Sequence, residues 1–223
     1  MSIQGATNKA LLLLLCVCIT AAFAWNIFFQ SKNPSAVMPL VLVGAIAGFI
    51  VALVTIFKPV WAGVTAPIYA LLEGLFIGGV SSIAEAQFPG IVIQAVGLTF
   101  GTCLALLLAY KSGIIRATEG FKRGIVAATG GIALFYILSL VLGLFGVRIP
   151  LVFGAGPVGI IFSLIVVTIA ALNLVLDFDF IEQGSLQGAP KYMEWYGAFA
   201  LMVTLIWLYL EILRLLMKLR SRE

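Results

Sequence analysis

Five stretches of this 223-residue chain, 10–31, 33–57, 86–110, 124–147 and 149–176, contain no Asp, Glu, Lys or Arg. A hydrocarbon core about 30 Å thick is crossed by about 20 apolar residues in a helix, so each stretch is long enough to span a bilayer. Two further apolar stretches, about 60–84 and 195–217, have the length but carry Glu73 and Glu211 inside. Counting them gives seven expected spans, at about 10–29, 37–57, 61–84, 90–110, 123–146, 155–178 and 195–217. Runs such as Leu11 to Leu15 and Ile160 to Val167 do not alternate apolar with polar, which excludes an outer-membrane barrel. Seven spans of about 22 residues leave about 70 for ends and connections, too few for a separate soluble domain. The expected fold is an all-α integral membrane protein, a seven-transmembrane-helix bundle in a single polytopic domain over residues 1–223.

Composition narrows the chemistry. Hydrophobic residues make up 63% of the chain and charged ones 10%, against about 25% charged in a soluble domain. The thirteen Lys and Arg are scattered between apolar runs, which argues against nucleic-acid binding despite a net charge of +4. With no His, Ser-His-Asp and Cys-His systems and an HExxH zinc site are excluded. Cys16, Cys18 and Cys103 sit inside apolar runs and read as small hydrophobes, so neither a metal site nor another cofactor is expected, and no enzymatic activity. Lys9, the leucine run and Ala22-Phe23-Ala24 imitate a secretory signal, but the apolar stretch continues through Phe29 and reads as an uncleaved helix. Neither end carries a lipidation signature.

Packing and orientation follow from glycines and flanking charges. Gly44-xxx-Gly48 and Gly97-xxx-Gly101 are small-xxx-small pairs, used by membrane helices for internal contacts and for dimer faces alike. With seven crossings, the side of the N-terminus also holds Lys9, Lys58, the basic connection Lys111, Arg116, Lys122 and Arg123, and Lys191. Lys32 and Arg148 lie opposite, so the loops place the N-terminus in the cytoplasm. The tail, with Arg214, Lys218, Arg220 and Arg222, falls on the opposite side unless one segment fails to cross; a final hairpin that enters and returns satisfies every charge.

A charge near the bilayer centre costs at least ~2.5 kcal/mol, so ionisable groups at depth carry the functional signal. Glu73 lies ~15 Å or more along its helix, with Tyr69 one turn before it able to donate a hydrogen bond. It either lines a path or ties a neighbouring helix. Gly74, Gly78 and Gly79 beside it permit close approach. Asn173, Asp177, Asp179 and Glu182 close the sixth span, the first two on one helical face and Asp179 rotated by about 200° from Asp177. They read either as a cation-attracting mouth of oxygen ligands or as a solvated helix end, and their spacing is not that of an EF-hand. Glu211 sits deep in the last span with Arg214 three residues on, the spacing of an intrahelical ion pair. The alternative pairs Glu211 with an acid of another helix; two carboxylates forced close cannot both ionise cheaply and can share a proton near neutral pH.

The segments Leu72-Glu73-Gly74-Leu75, Leu176-Asp177-Phe178-Asp179-Phe180-Ile181-Glu182-Gln183 and Leu208-Tyr209-Leu210-Glu211-Ile212-Leu213-Arg214-Leu215-Leu216, within seven apolar spans, resemble the Bax inhibitor-1 (transmembrane BAX inhibitor motif) family. The basic connection from Tyr110-Lys111 through Arg116 to Phe121-Lys122-Arg123-Gly124 resembles its bacterial YccA-like branch, in the inner membrane. The resemblance implies a central last helix wrapped by six others and a pH-sensitive calcium leak. It implies a proton-sharing gate formed by an acid of the sixth helix and one of the seventh, which fall on Asp177 and Glu211, with Glu73 matched to an acid of the conducting path. It also implies, for bacterial members, association with a membrane-bound AAA protease. Glu stands at 211 where the family pattern has Asp, and 34 residues separate the two acids. They meet only if much of Gly184 to Gly197, with Gly188 and Pro190 as breakers, runs outside the bundle.

Three functions follow from this reading. A proton-gated cation leak, with Asp177 and Glu211 as sensor and Glu73, Asp179, Asn173 and Arg214 as path or polar contacts, stands first. A membrane interaction protein that modulates a protease is second, and a proton-coupled transporter third.

Overall fold

A computed structural model describes residues 1–146, 154 and 156–222. Arg148, used in the orientation reading, and the start of the expected sixth span lie outside the described residues. The described residues form seven α-helices: α1 (Ile3–Ser31), α2 (Pro34–Phe57), α3 (Ala62–Gln87), α4 (Ile91–Lys111), α5 (Glu119–Leu144), α6 (Pro157–Leu186) and α7 (Tyr192–Arg220). All seven are long and apolar enough to cross a membrane.

Local chemistry fixes where they begin and end. Ser2 caps α1 by accepting from the Gly5 N–H, and Lys32 ends it in the left-handed conformation, its N–H on the Phe28 carbonyl. Asn33 caps α2, whose first residue is Pro34, and Lys58 before Pro59 stops it. Glu85 accepts from the backbone N–H groups of Gly90 (2.6 Å) and Val92 (3.1 Å), holding the tight α3–α4 turn. Thr118 caps α5. Gly188, at positive φ, and Pro190 separate α6 from α7.

Several helices run well past the expected spans. α6 extends to Leu186 rather than about 178, and α7 begins at Tyr192 rather than about 195. Charge marks where a helix can leave lipid, whereas caps and breakers decide where it stops. Residues 187–191 alone therefore connect α6 to α7, and most of Gly184 to Gly197 is helical rather than outside the bundle. The final entering-and-returning hairpin is likewise absent, for α7 is one unbroken helix of 29 residues, about 43 Å long. It is also the most enclosed of the described helices, more than half of its apolar stretch being buried.

The chain groups into two compact units, residues 1–92 with 179–203, and 93–178 with 204–223. In the first, α3 packs on both α1 and α2. Gly44 and Gly48 of α2 lie against Leu72 to Phe76 of α3; a Cβ on Gly44 would meet the Leu72 carbonyl oxygen at 2.6 Å. Gly74 and Gly78 of α3 lie as closely against Val17 to Ala21 of α1. The Gly44-xxx-Gly48 pair thus serves an internal contact, whereas Gly97 and Gly101 of α4 have open space before them.

The first unit also contains a polar clasp. The buried Glu194 carboxylate, in the first turn of α7, accepts from the Ser2 backbone N–H (2.9 Å) and hydroxyl (3.2 Å) and pairs with Lys9. Lys9 lies 5.4 Å over the Trp195 ring. Gly5 makes room for the carboxylate. Read from sequence as a flank charge, Lys9 joins α1 to the start of α7.

Gly78→Leu would drive a side chain into the Ala21 backbone. It is expected to lower stability by about 1–3 kcal/mol or more, the usual cost of overpacking. Gly101→Leu, facing open space, is expected to leave it nearly unchanged. Thermal unfolding of the purified variants in detergent measures the contrast.

Candidate functional site

Thr204, Glu211 and Lys218 stand seven residues apart on α7, hence on one helical face, and all three are buried. Leu208 and the apolar residues around them fold this stretch as a membrane helix, so each polar group has to find its partner on another helix or along its own. All three lie in the second unit, as do the partners described next.

The Thr204 hydroxyl faces the Asp177 carboxyl of α6. One carboxyl oxygen, Oδ2, is buried with no hydrogen-bond partner. Cys103 of α4 is within electrostatic reach of Asp177, and the Tyr110 and Phe178 rings, 6.1 Å apart, bring α4 onto α6 at this level. One turn earlier on α6, the Asn173 amide donates to the Thr129 hydroxyl of α5 and to the Ile169 carbonyl, each at 2.8 Å.

Two turns along α7, Glu211 is 2% exposed. Arg214 Nη1 donates to both its oxygens, at 3.0 and 3.1 Å, in the intrahelical ion pair that the spacing allows. Tyr136 of α5 donates its hydroxyl hydrogen to Glu211 Oε1 at 2.9 Å and accepts from Arg214 Nη1 at 2.7 Å. Glu211, Arg214 and Tyr136 so form a closed three-membered ring of hydrogen bonds, with the guanidinium 5.2 Å over the tyrosine ring. On α6, Phe162 packs against both Phe135 and Tyr136, the ring centroids 5.3 and 6.5 Å apart. Two turns beyond Glu211, the Lys218 ammonium donates to the Gly159 carbonyl (3.1 Å) and the Ser163 hydroxyl (2.9 Å) at the start of α6.

Asp177 and Glu211 therefore have separate partners, and the direct carboxyl pair is not made in this conformation. The reason is register. With α6 and α7 joined by five residues, Thr204 comes level with Asp177, and Glu211 lies about 10.5 Å further along α7. Asp177 is also no helix end: nine further residues of α6 follow it.

The remaining candidates fall in the first unit. Glu73 is half-buried and hydrogen-bonded by Tyr69. It faces α2, where a Cβ on Gly48 would lie 3.2 Å from its Oε1, so it occupies the α2–α3 contact. Tyr69 in turn stacks edge-on against Phe199 of α7, 5.0 Å between centroids. Asp179 and Glu182 are half-buried, each with interactions of its own.

The family model described as Bax inhibitor 1 like matches residues 1–221. The chain belongs to this family. No curated protein and no solved structure matches it. It is thus a Bax inhibitor 1 like membrane protein with seven apolar helices, in which the acids at 177 and 211 are each held inside the second unit.

Tyr136, Thr204 and Lys218 were not marked by the sequence. Tyr136 looks like any aromatic in an apolar run, and Thr204 like any small polar residue. Lys218 reads as a tail charge, but α7 continues past it.

Glu211 is 2% exposed but Arg214 36%, so removing the arginine strands a buried charge, whereas removing the carboxylate leaves a guanidinium that solvent still reaches. Arg214→Met is therefore expected to destabilise the protein more than Glu211→Gln. Adding Glu211→Gln to Arg214→Met removes the stranded charge and is expected to recover part of the lost stability. Unfolding temperatures of the three variants test this.

Proposed function

We propose that this protein is a pH-sensitive cation leak, passing calcium across a bacterial inner membrane, and that it belongs to the YccA-like branch of its family with its N-terminus in the cytoplasm. The observation that carries the reading is a carboxylate, Glu211, almost wholly buried in a candidate span and held in a ring with Arg214 and Tyr136. Such a group is expensive at membrane depth unless it has a task. In a chain without His, carboxylates are the natural candidates for a pH switch.

The gate works by electrostatics. With Glu211 ionised, Arg214 and Tyr136 bind it and tie α7 to α5. A proton on Glu211 cancels the attraction for Arg214 and frees the two helices to separate. Asp177 is the second responsive group, since its buried Oδ2 leaves one oxygen for a proton or a passing cation. No covalent chemistry is involved.

Calcium flux into proteoliposomes is expected to rise as pH is lowered. Glu211→Gln, which imitates the protonated form, is expected to give raised flux with little dependence on pH, and Asp177→Asn to change its amplitude. Flux no greater than in empty liposomes at any pH would overturn the leak and favour modulation of a membrane-bound AAA protease. Flux that saturates with one substrate would favour a proton-coupled transporter.

A further inference from the structure

Tyr136 occupies a position that the charge-change of Glu211 cannot leave undisturbed. Its hydroxyl oxygen accepts a hydrogen from Arg214 while its own hydrogen goes to Glu211 Oε1. A phenol has one hydrogen to give, and a protonated carboxyl becomes a donor itself. Once Glu211 carries a proton, Arg214 and Glu211 can both present hydrogens to the same oxygen, and the ring of bonds has to re-form. The phenol ring, meanwhile, is held on one element by Phe162 of α6 and on another by the Arg214 guanidinium of α7. Three helices meet on this side chain.

We infer that Tyr136 is the positioning residue of Glu211: its hydroxyl holds the carboxylate in the ionised, Arg214-bound geometry and so sets the pH at which that carboxylate takes a proton. The inference rests on the reading of Glu211 as proton-responsive and adds the residue that tunes it. Among the described residues, the charged and titratable groups around it are few. On α7 these are Glu211, Arg214 and, one turn further, Lys218, which lies within electrostatic reach of both. On α6, Phe162 and Ser163 contribute no charge, and Asp177 belongs to the Thr204 level. On α5, Ser139 lies one turn beyond Tyr136, 4% exposed and with its hydroxyl unpartnered. It is a spare polar group one turn away on the same helix.

The test reads the carboxyl directly. In protein reconstituted into lipid, the infrared band of a protonated carboxyl that disappears in Glu211→Gln is assigned to Glu211 and followed against pH. Tyr136→Phe keeps the ring against Phe162 and Arg214 and removes only the hydroxyl. Losing a hydrogen bond to the charged form is expected to raise the midpoint by about 1 pH unit and to change the band frequency. A 3-fluorotyrosine at 136 keeps the shape and strengthens the donor, so its midpoint is expected to move the opposite way. Opposite shifts in the two proteins are an outcome that a merely structural role does not produce. A midpoint and frequency unmoved in both, or no titrating Glu211 band at all, overturns the inference. Calcium flux measured on the same samples separates the two claims: titration tuned by Tyr136 without flux sinks the leak and leaves the assignment of Tyr136 standing.

Discussion

A carboxylate placed far along a membrane helix has to be matched, because at that depth neither water nor lipid stabilises its charge. In α7 that requirement recurs at two-turn intervals. Thr204, Glu211 and Lys218 each meet a partner from α5 or α6, and those partnerships fix the rotation of α7 about its own axis. Apolar packing alone is a poor source of such specificity, since lipid tails and leucine side chains are nearly equivalent surroundings. The enclosure of α7, greater than that of any other helix described, is the packing consequence of carrying its polar groups inward.

The two units meet the same problem differently. In the first, glycines at 44, 48, 74 and 78 bring α2 and α1 onto α3 almost backbone to backbone, and Glu73 is accommodated beside Gly48 with Tyr69 as its donor. In the second, Gly97 and Gly101 make no such contact, and hydrogen bonds between side chains take over. Close backbone contact and polar pairing are the two sources of helix association available in lipid, and here each predominates in one unit.

The number and type of helices were legible from the charge-free runs, because length and apolarity alone decide what can span a bilayer. Where the helices end was legible only in part. Gly188 and Pro190 mark the α6–α7 break, but nothing in the apolar pattern says that α6 continues through Asp179 and Glu182 to Leu186. The site suffered most from this, for each residue added to α6 or α7 moves the register between them by about 1.5 Å. The positions that matter, Asp177, Glu211 and Arg214, could be found because ionisable residues are rare in such a chain. Their partners could not: Tyr136 is 75 positions from Glu211 and is one aromatic among many.

That register bears on how two acids can act together. Bringing Glu211 to the level of Asp177 would need α7 to slide by about 10.5 Å, nearly twice the single-turn step of about 5.4 Å by which helices ratchet past one another. It would also break the Lys218 contacts to Gly159 and Ser163 and strip Thr204 from Asp177. A proton shared directly between the two carboxyls is therefore a poor description of this chain in the observed conformation. What connects them is α7 itself. Thr204 and Glu211 lie on one face two turns apart, so a rotation or tilt of that helix which loosens Glu211 from Tyr136 also moves the hydroxyl that faces Asp177. Any cooperation between the two acids would then be mechanical, through a rigid helix both sites bias, and it would survive substitutions that a shared proton could not.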